Sequence, residues 1–188
     1  MYWKLVLAMA LSIMVQAQDN NASRGNISSR RMADGKEWTT FNVNVSASPS
    51  YCYDDRDENC RRYGRMYTWD SARRACQVLG DRWRLPTDAE WRQLAERYGG
   101  LGNYSDAKGR AAFAALVSGG RSGFDAVLGG NRDDGKYERI EAHGFYWTES
   151  ENDSNTAPYY NFGKNSRSLY RQAGGEKEMA ISVRCVRD

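Results

Sequence analysis

The sequence carries a single histidine, His143, among its 188 residues, and only three prolines. One histidine excludes a three-histidine metal site and leaves little for a Ser-His-Asp arrangement. Three prolines exclude a Pro-rich linker architecture. No Cys-x-x-Cys pair exists among the four cysteines, so the spacing of a structural zinc site is missing. No block of one charge exists either: 27 Lys and Arg are interleaved with 24 Asp and Glu, for a net charge of +3. A balance that even does not describe a nucleic-acid-binding surface. Outside the first residues no apolar run approaches membrane-spanning length. With 12% aromatic residues the composition is that of one folded domain with a sizeable core, not of a disordered or collagen-like chain.

The N-terminus reads as a secretory signal. Lys4 precedes an apolar run from Leu5 to Val15, and Val15-Gln16-Ala17 places small or medium side chains before a cleavage point. No cysteine follows the run, so the chain is expected to be secreted or periplasmic and not a lipoprotein. Residues 1–17 are therefore assigned to the signal, 18–35 to a flexible polar segment rich in Asn, Ser and Arg, and 36–188 to one domain.

An even number of cysteines in an exported chain points to two disulfides, with three possible pairings. Cys52 and Cys60 enclose a polar stretch that has no core of its own and is suited to a local clamp. That leaves Cys76 with Cys185, a closure of about 110 residues that contributes roughly 4 to 5 kcal/mol in the chain-entropy model.

Hydrophobic periodicity predicts helices first and strands later. Phe41, Val43 and Val45 alternate with asparagines as a first strand. Thr68 opens a helix with Trp69, Ala72, Cys76 and Leu79 on one face, stopped by Gly80. Thr87 and Glu90 stand in a capping-box relation ahead of Trp91, Leu94, Ala95 and Tyr98, with Gly99-Gly100 as the stop. Residues 107–117 form a third, Ala-rich helix. Strands are expected at 124–128, 137–140, 144–148, 159–162, 168–171 and 180–187, with a hairpin turn at Asp133-Asp134-Gly135. In the last strand Ile181, Val183 and Cys185 alternate with Ser182 and Arg184, which predicts one buried face. The fold class is α+β: two main helices early, then a twisted antiparallel sheet in which the first and last strands pair.

The strings YGRMYTW (63–69), RLPTDAEW (84–91), GFYWTES (144–150) and SVRCVRD (182–188), with the CYDDRDENC loop, stand in order along the chain. Over roughly residues 35–188 the sequence resembles the Fibrobacter succinogenes major paralogous domain, a family of exported bacterial proteins. It departs from that pattern in two places. Trp83-Arg84-Leu85-Pro86 stands where the family often has Trp-His-Leu-Pro, and the tryptophan-rich start is reduced to Lys36-Glu37-Trp38. The resemblance implies a C-type-lectin-like fold, related to the formylglycine-generating-enzyme group. In that fold a helix is commonly disulfide-linked to the final strand, which agrees with a Cys76–Cys185 pairing.

The catalytic features of those relatives are not matched. Formylglycine-generating enzymes need an active-site cysteine pair, and sulfoxide synthases of the same fold need several histidines. Trp69, Trp83, Trp91 and Trp147 are assigned to core packing, Thr87 and Glu90 to capping, and His143 to a hydrogen-bonding role. Asp133-Asp134 and Glu149 with Glu151 read as solvated carboxylates. Glu149, Glu151, Asn152 and Asp153 are oxygen donors of the type calcium prefers. The Glu-Pro-Asn or Gln-Pro-Asp and Trp-Asn-Asp signatures of calcium-dependent sugar binding are absent, however, so no metal and no cofactor are expected.

The segment from 152 to 171 is rich in Asn, Ser, Tyr and Arg, the composition of a recognition surface. Asn152, Asn155, Tyr159, Tyr160, Asn161, Arg167 and Tyr170 are its candidate ligand-binding residues, with Asn165, Ser166, Ser168 and Arg171 beside them. The expected function is a non-catalytic binding module for a glycan or protein surface, with no nucleic-acid partner and no membrane span. The alternatives are an assembly component of the cell envelope or a surface appendage, and, less favoured, an enzyme of the formylglycine-generating group.

Overall fold

The structure is a computed structural model that describes residues 27–80, 82–102 and 107–188. The signal assigned to residues 1–17 lies outside the described residues. The order of elements is β1 (Ser29–Arg31), β2 (Glu37–Thr39), β3 (Ser50–Tyr51), a 3-10 turn (Tyr53–Asp55), α1 (Asp57–Tyr63), β4 (Met66–Tyr67), α2 (Trp69–Val78), α3 (Asp88–Arg97), α4 (Ala107–Leu116), β5 (Asn131–Asp133), β6 (Lys136–Glu138), β7 (His143–Trp147), β8 (Thr156–Gly163), β9 (Ser168–Glu176) and β10 (Val186–Arg187). The strands form four small antiparallel sheets, β1-β2-β10, β3-β4, β5-β6 and β7-β8-β9, where one larger sheet was expected. The last strand pairs with β2, Val186 opposite Trp38, and not with the first strand expected at 41–45. Both expected disulfides, Cys52–Cys60 and Cys76–Cys185, are formed.

The β7-β8-β9 sheet is covered on both sides. Tyr146, Tyr160, Phe162 and Leu169 pack with Trp91, Leu94, Phe113 and Leu116 of α3 and α4. The alternate residues Phe145, Trp147, Ala157 and Tyr159 pack with Trp69, Ala72 and Cys76 of α2. Period-two alternation therefore divides the strands between two cores, and Phe145-Tyr146-Trp147 is apolar throughout because neither face meets water. Trp91 is the hub of the first core. Its ring stacks on Tyr160 at 5.1 Å and meets Trp38, Phe124 and Tyr146 at 5.1 to 5.6 Å between centroids.

α3 begins as the sequence predicts. The Thr87 hydroxyl accepts from Glu90 N–H at 3.2 Å, and the Glu90 carboxylate accepts from Thr87 N–H at 2.9 Å. The same carboxylate is gripped by both Arg84 amino groups at 2.7 Å and by Lys36 Nζ at 3.2 Å. At α2, Thr68 stands at the cap, but its hydroxyl pairs with Ser71 Oγ at 3.1 Å and caps no backbone N–H. The Asp134-Gly135 turn joins β5 to β6, both residues having the positive φ that a two-residue hairpin demands.

Four expectations are corrected. Residues 29–35, assigned to a flexible segment, form a hairpin: β1 pairs with β2 and Met32 is buried against Trp38. The polar Cys52–Cys60 loop holds α1, whose Asp57 and Glu58 open the first turn and whose Arg61 and Arg62 close the last, as the helix dipole favours. Gly64 ends it at φ +78, where a Cβ would lie 2.5 Å from that of Asn42. Segments 41–45 and 124–128 are not strands. Val43 exchanges its backbone bonds with Val183 and Arg65 instead, and the carbonyls of Phe124 and Asp125 are taken by a side chain. Within 180–187 only β10 is a strand. The remainder makes single bridges, Tyr67 to Ile181 and Tyr146 to Ser182 among them, and Ser182 and Arg184 are as buried as their neighbours.

Burial alone raises the Glu90 carboxyl, but Arg84, the Thr87 N–H and Lys36 outweigh it and hold the group down to about 2. A depressed folded value stabilises above the unfolded value of 4.5, and that stability is lost as pH falls from there toward 2. Glu90→Gln is expected to lower stability at pH 7 by about 2–3 kcal/mol. The gap to wild type should close on acidification toward pH ~2, read from urea denaturation across the pH range.

Candidate functional site

The 152–171 residues do not come together on one exposed face. Tyr160 is fully buried under Trp91, with its hydroxyl 3.0 Å from both the carbonyl and the carboxylate of Asp88. Arg171 Nε reaches that carboxylate at 2.7 Å. Asn161 is buried and donates to the Tyr170 hydroxyl at 2.8 Å, while its Oδ1 faces His143 Nδ1 at 3.0 Å. Tyr170 and Ser168 are buried as well, and Tyr159 is half-buried with its ring edge-on to Phe145 and Trp147. The exposed members separate to the two ends of β8. Asn152 and Asn155 lie in the loop before it, and Asn165 and Arg167 lie in the turn after it, with Ser166 half-buried between them. The segment was read as a recognition surface, but β8 is the middle strand of a sheet with a core on each side.

A concave site stands elsewhere. A cleft of about 330 Å³ opens where α1 meets the irregular segments 40–44 and 125–127. Phe41, Asn42, Arg61, Arg62, Tyr63 and Asp125 are its principal side chains. Each is positioned by a local cause. α1 puts Arg61 and Arg62 on the rim, and the Cys52–Cys60 bridge ties that helix back to the turn before it. Asp125 sits at φ +55 with its carboxylate accepting the Gly119 N–H at 3.1 Å.

The floor is Asn42, whose amide is saturated. Its Nδ2 donates to the Tyr63 carbonyl at 2.8 Å and to Ser182 Oγ at 3.2 Å; its Oδ1 accepts from the Tyr146 hydroxyl at 3.0 Å and from Arg184 Nε at 2.9 Å. Behind it Arg184 is wholly buried. Its other donors go to the carbonyls of Thr39, Phe124 and Asp125, and its guanidinium lies 4.7 Å from the centre of the Phe124 ring. No carboxylate stands within ion-pair distance of it among the described residues, and burial pushes its pKa down.

On the rim the Tyr63 hydroxyl donates to Glu141 at 2.5 Å and the Arg62 guanidinium reaches the same oxygen at 2.8 Å. Burial first, then Glu141, pushes the Tyr63 phenol up to about 12, so it remains a donor at neutral pH. Arg61 is exposed and makes no ion pair among the described residues. The cleft thus offers guanidinium donors, carboxylate acceptors and the half-buried ring of Phe41, a set suited to hydrogen bonding and stacking. All four cysteines are in disulfides, and His143 is held in the β7-β8 pair, stacked 5.3 Å from Phe145. Among the described residues no group of three or more His, Cys, Asp or Glu side chains is placed to hold a metal, and no helix is long and apolar enough to cross a membrane.

A sequence profile of the Fibrobacter succinogenes major domain matches residues 23–187. The chain belongs to this family. The match starts within the segment assigned as flexible, in keeping with the β1-β2 hairpin found there, and it spans both the cleft and the 152–171 hairpin. No curated protein and no solved structure matches the chain. Sequence reasoning passed over the cleft because its residues come from stretches read as a strand or as a clamped polar loop. One signal was available, the acid-to-base order of Asp57 to Arg62 that marks a helix.

Arg184→Met is expected to destabilise this family member by about 3 kcal/mol, because it removes the side-chain donor from the carbonyls of Thr39, Phe124 and Asp125 and one of the two donors from Asn42 Oδ1. Equilibrium denaturation measures the loss. Near-UV circular dichroism should report the disturbed packing of Phe124 and Tyr146.

Proposed function

We propose that the chain is an exported, non-catalytic binding module that recognises a glycan or protein surface in the cleft between α1 and segments 40–44 and 125–127. The observation that carries this reading is the cleft itself. Its floor is a saturated amide that fixes shape, while its rim presents Arg61 and the Arg62–Glu141 pair to solvent beside the half-buried Phe41 ring. Binding groups held by a rigid floor are how scaffolds present recognition residues. The cleft takes the place of the 152–171 face, whose tyrosines serve the interior.

Export is supported by the apolar run at residues 5–15 and by two disulfides, which persist in oxidising compartments. The fold is proposed to be C-type-lectin-like. The disulfide from α2 to the C-terminal segment and the pairing of β2 with β10 support that assignment.

The test is a glycan and surface-protein array probed with the oxidised chain. A ligand is expected whose binding falls at least tenfold in Arg61→Ser with Arg62→Ser and stays unchanged in Asn152→Ala with Asn155→Ala and Arg167→Ala. A ligand indifferent to the rim pair, or silence from protein with both disulfides intact, would overturn the proposal.

A further inference from the structure

The loop from Glu151 to Asn155 is folded around a side chain from another strand end. Lys177 follows β9, and its ammonium lies 2.6 Å from Glu151 Oε2, 2.7 Å from the Asp153 carbonyl and 3.3 Å from the Ser154 carbonyl. Three oxygens meet the three donors of one ammonium. The Trp69 ring lies alongside the ammonium, its centre 4.4 Å from Nζ, with the Arg73 guanidinium also 5.1 Å from that ring. The Lys177 side chain keeps only 14% of its surface exposed.

The backbone pins the lysine from both directions. Its N–H donates to the Asn155 carbonyl and its carbonyl accepts from Trp69 N–H, each at 2.9 Å. Two further side chains of the loop brace it. Asp153 accepts from the N–H groups of Asn155 and Thr156 and from the Thr156 hydroxyl, at 2.8 to 2.9 Å. The Asn152 amide donates to the Ala173 carbonyl at 2.6 Å. Glu151 Oε2 and the Asp153 and Ser154 carbonyls are the oxygens that converge on Nζ.

From this geometry we infer that the Lys177 ammonium is the permanent cation of the 151–155 loop. It fills the oxygen cage that a dissolved cation would otherwise occupy, so the loop keeps its shape, and the presentation of Asn152 and Asn155, with no metal bound. Two carbonyls and a carboxylate pointing at one spot repel one another unless a positive charge sits between them. Here that charge is covalently attached. The inference stands apart from the cleft and survives its failure.

Amide hydrogen exchange on the full oxidised chain, in millimolar calcium and in chelator, decides the matter. Exchange at Asn152, Asn155 and Thr156 in the wild type is expected to be the same in both solutions. In Lys177→Met the same amides should exchange at least tenfold faster, with α3 and the β7-β8 pair unaffected. Glu151→Gln, at a half-exposed position, should accelerate them by a smaller factor and carries the test should the methionine variant fail to fold. Wild-type exchange that slows with calcium, or variants that exchange as the wild type does, would overturn the inference.

Discussion

One buried charge organises the domain. Arg184 sits where β2, the 40–44 segment, the 124–127 segment and the C-terminal stretch meet, and it binds a carbonyl or amide oxygen from each of the first three. A guanidinium out of water is tolerable only when its donors are met, so these pieces of chain are drawn to fixed positions about it. Carbonyls given to Arg184 are not given to a neighbouring strand, and segment 124–128 stays irregular for that reason. The Phe124 and Tyr146 rings close over the cation and join it to the Trp91 core. The disulfide from Cys76 to the adjacent Cys185 fixes the same stretch from the opposite side.

Much of this was legible in the sequence where the cause is local. The Thr87–Glu90 box, the Asp134-Gly135 turn and the glycines after α2 and α3 act within a few residues, and each appears where its pattern places it. Both disulfides were legible too, one from the need of a coreless polar loop and the other by what remained. The reading failed where a residue's partner is remote. Ser182 and Arg184 alternate with apolar neighbours as solvent-facing residues do, but the surface they face is Asn42, Thr39 and Phe124, more than 50 positions away in sequence. The Tyr, Asn and Arg content of 152–171 failed for a related reason: an internal polar network uses the same side chains as a binding face, and only the covering of β8 on both sides tells them apart.

The candidate site stands on this frame without being part of it. Asn42 belongs to the Arg184 cluster through its oxygen and to α1 through its nitrogen, and it carries the position of the interior out to the cleft. Gly64 lets α1 end directly against Asn42, with no space for a side chain between them. The rim residue Arg61 faces solvent, and Arg62 reaches Glu141 and lies over the Tyr63 ring, so the rim can change with little effect on the Arg184 cluster beneath.

A central strand buried on both faces divides the chain into parts that can vary and parts that cannot. Between Ala157 and Phe162 the side chains of Ala157, Tyr159, Tyr160 and Phe162 answer to one core or the other and Asn161 to a buried polar network, so drift there is penalised. The ends of that hairpin and the rim of the cleft carry no such obligation. In lineages that inherit this domain, substitutions can accumulate at the tips and at the cleft while the β-sheet between them stays nearly silent in evolution, and comparing substitution rates along the chain would trace the boundary.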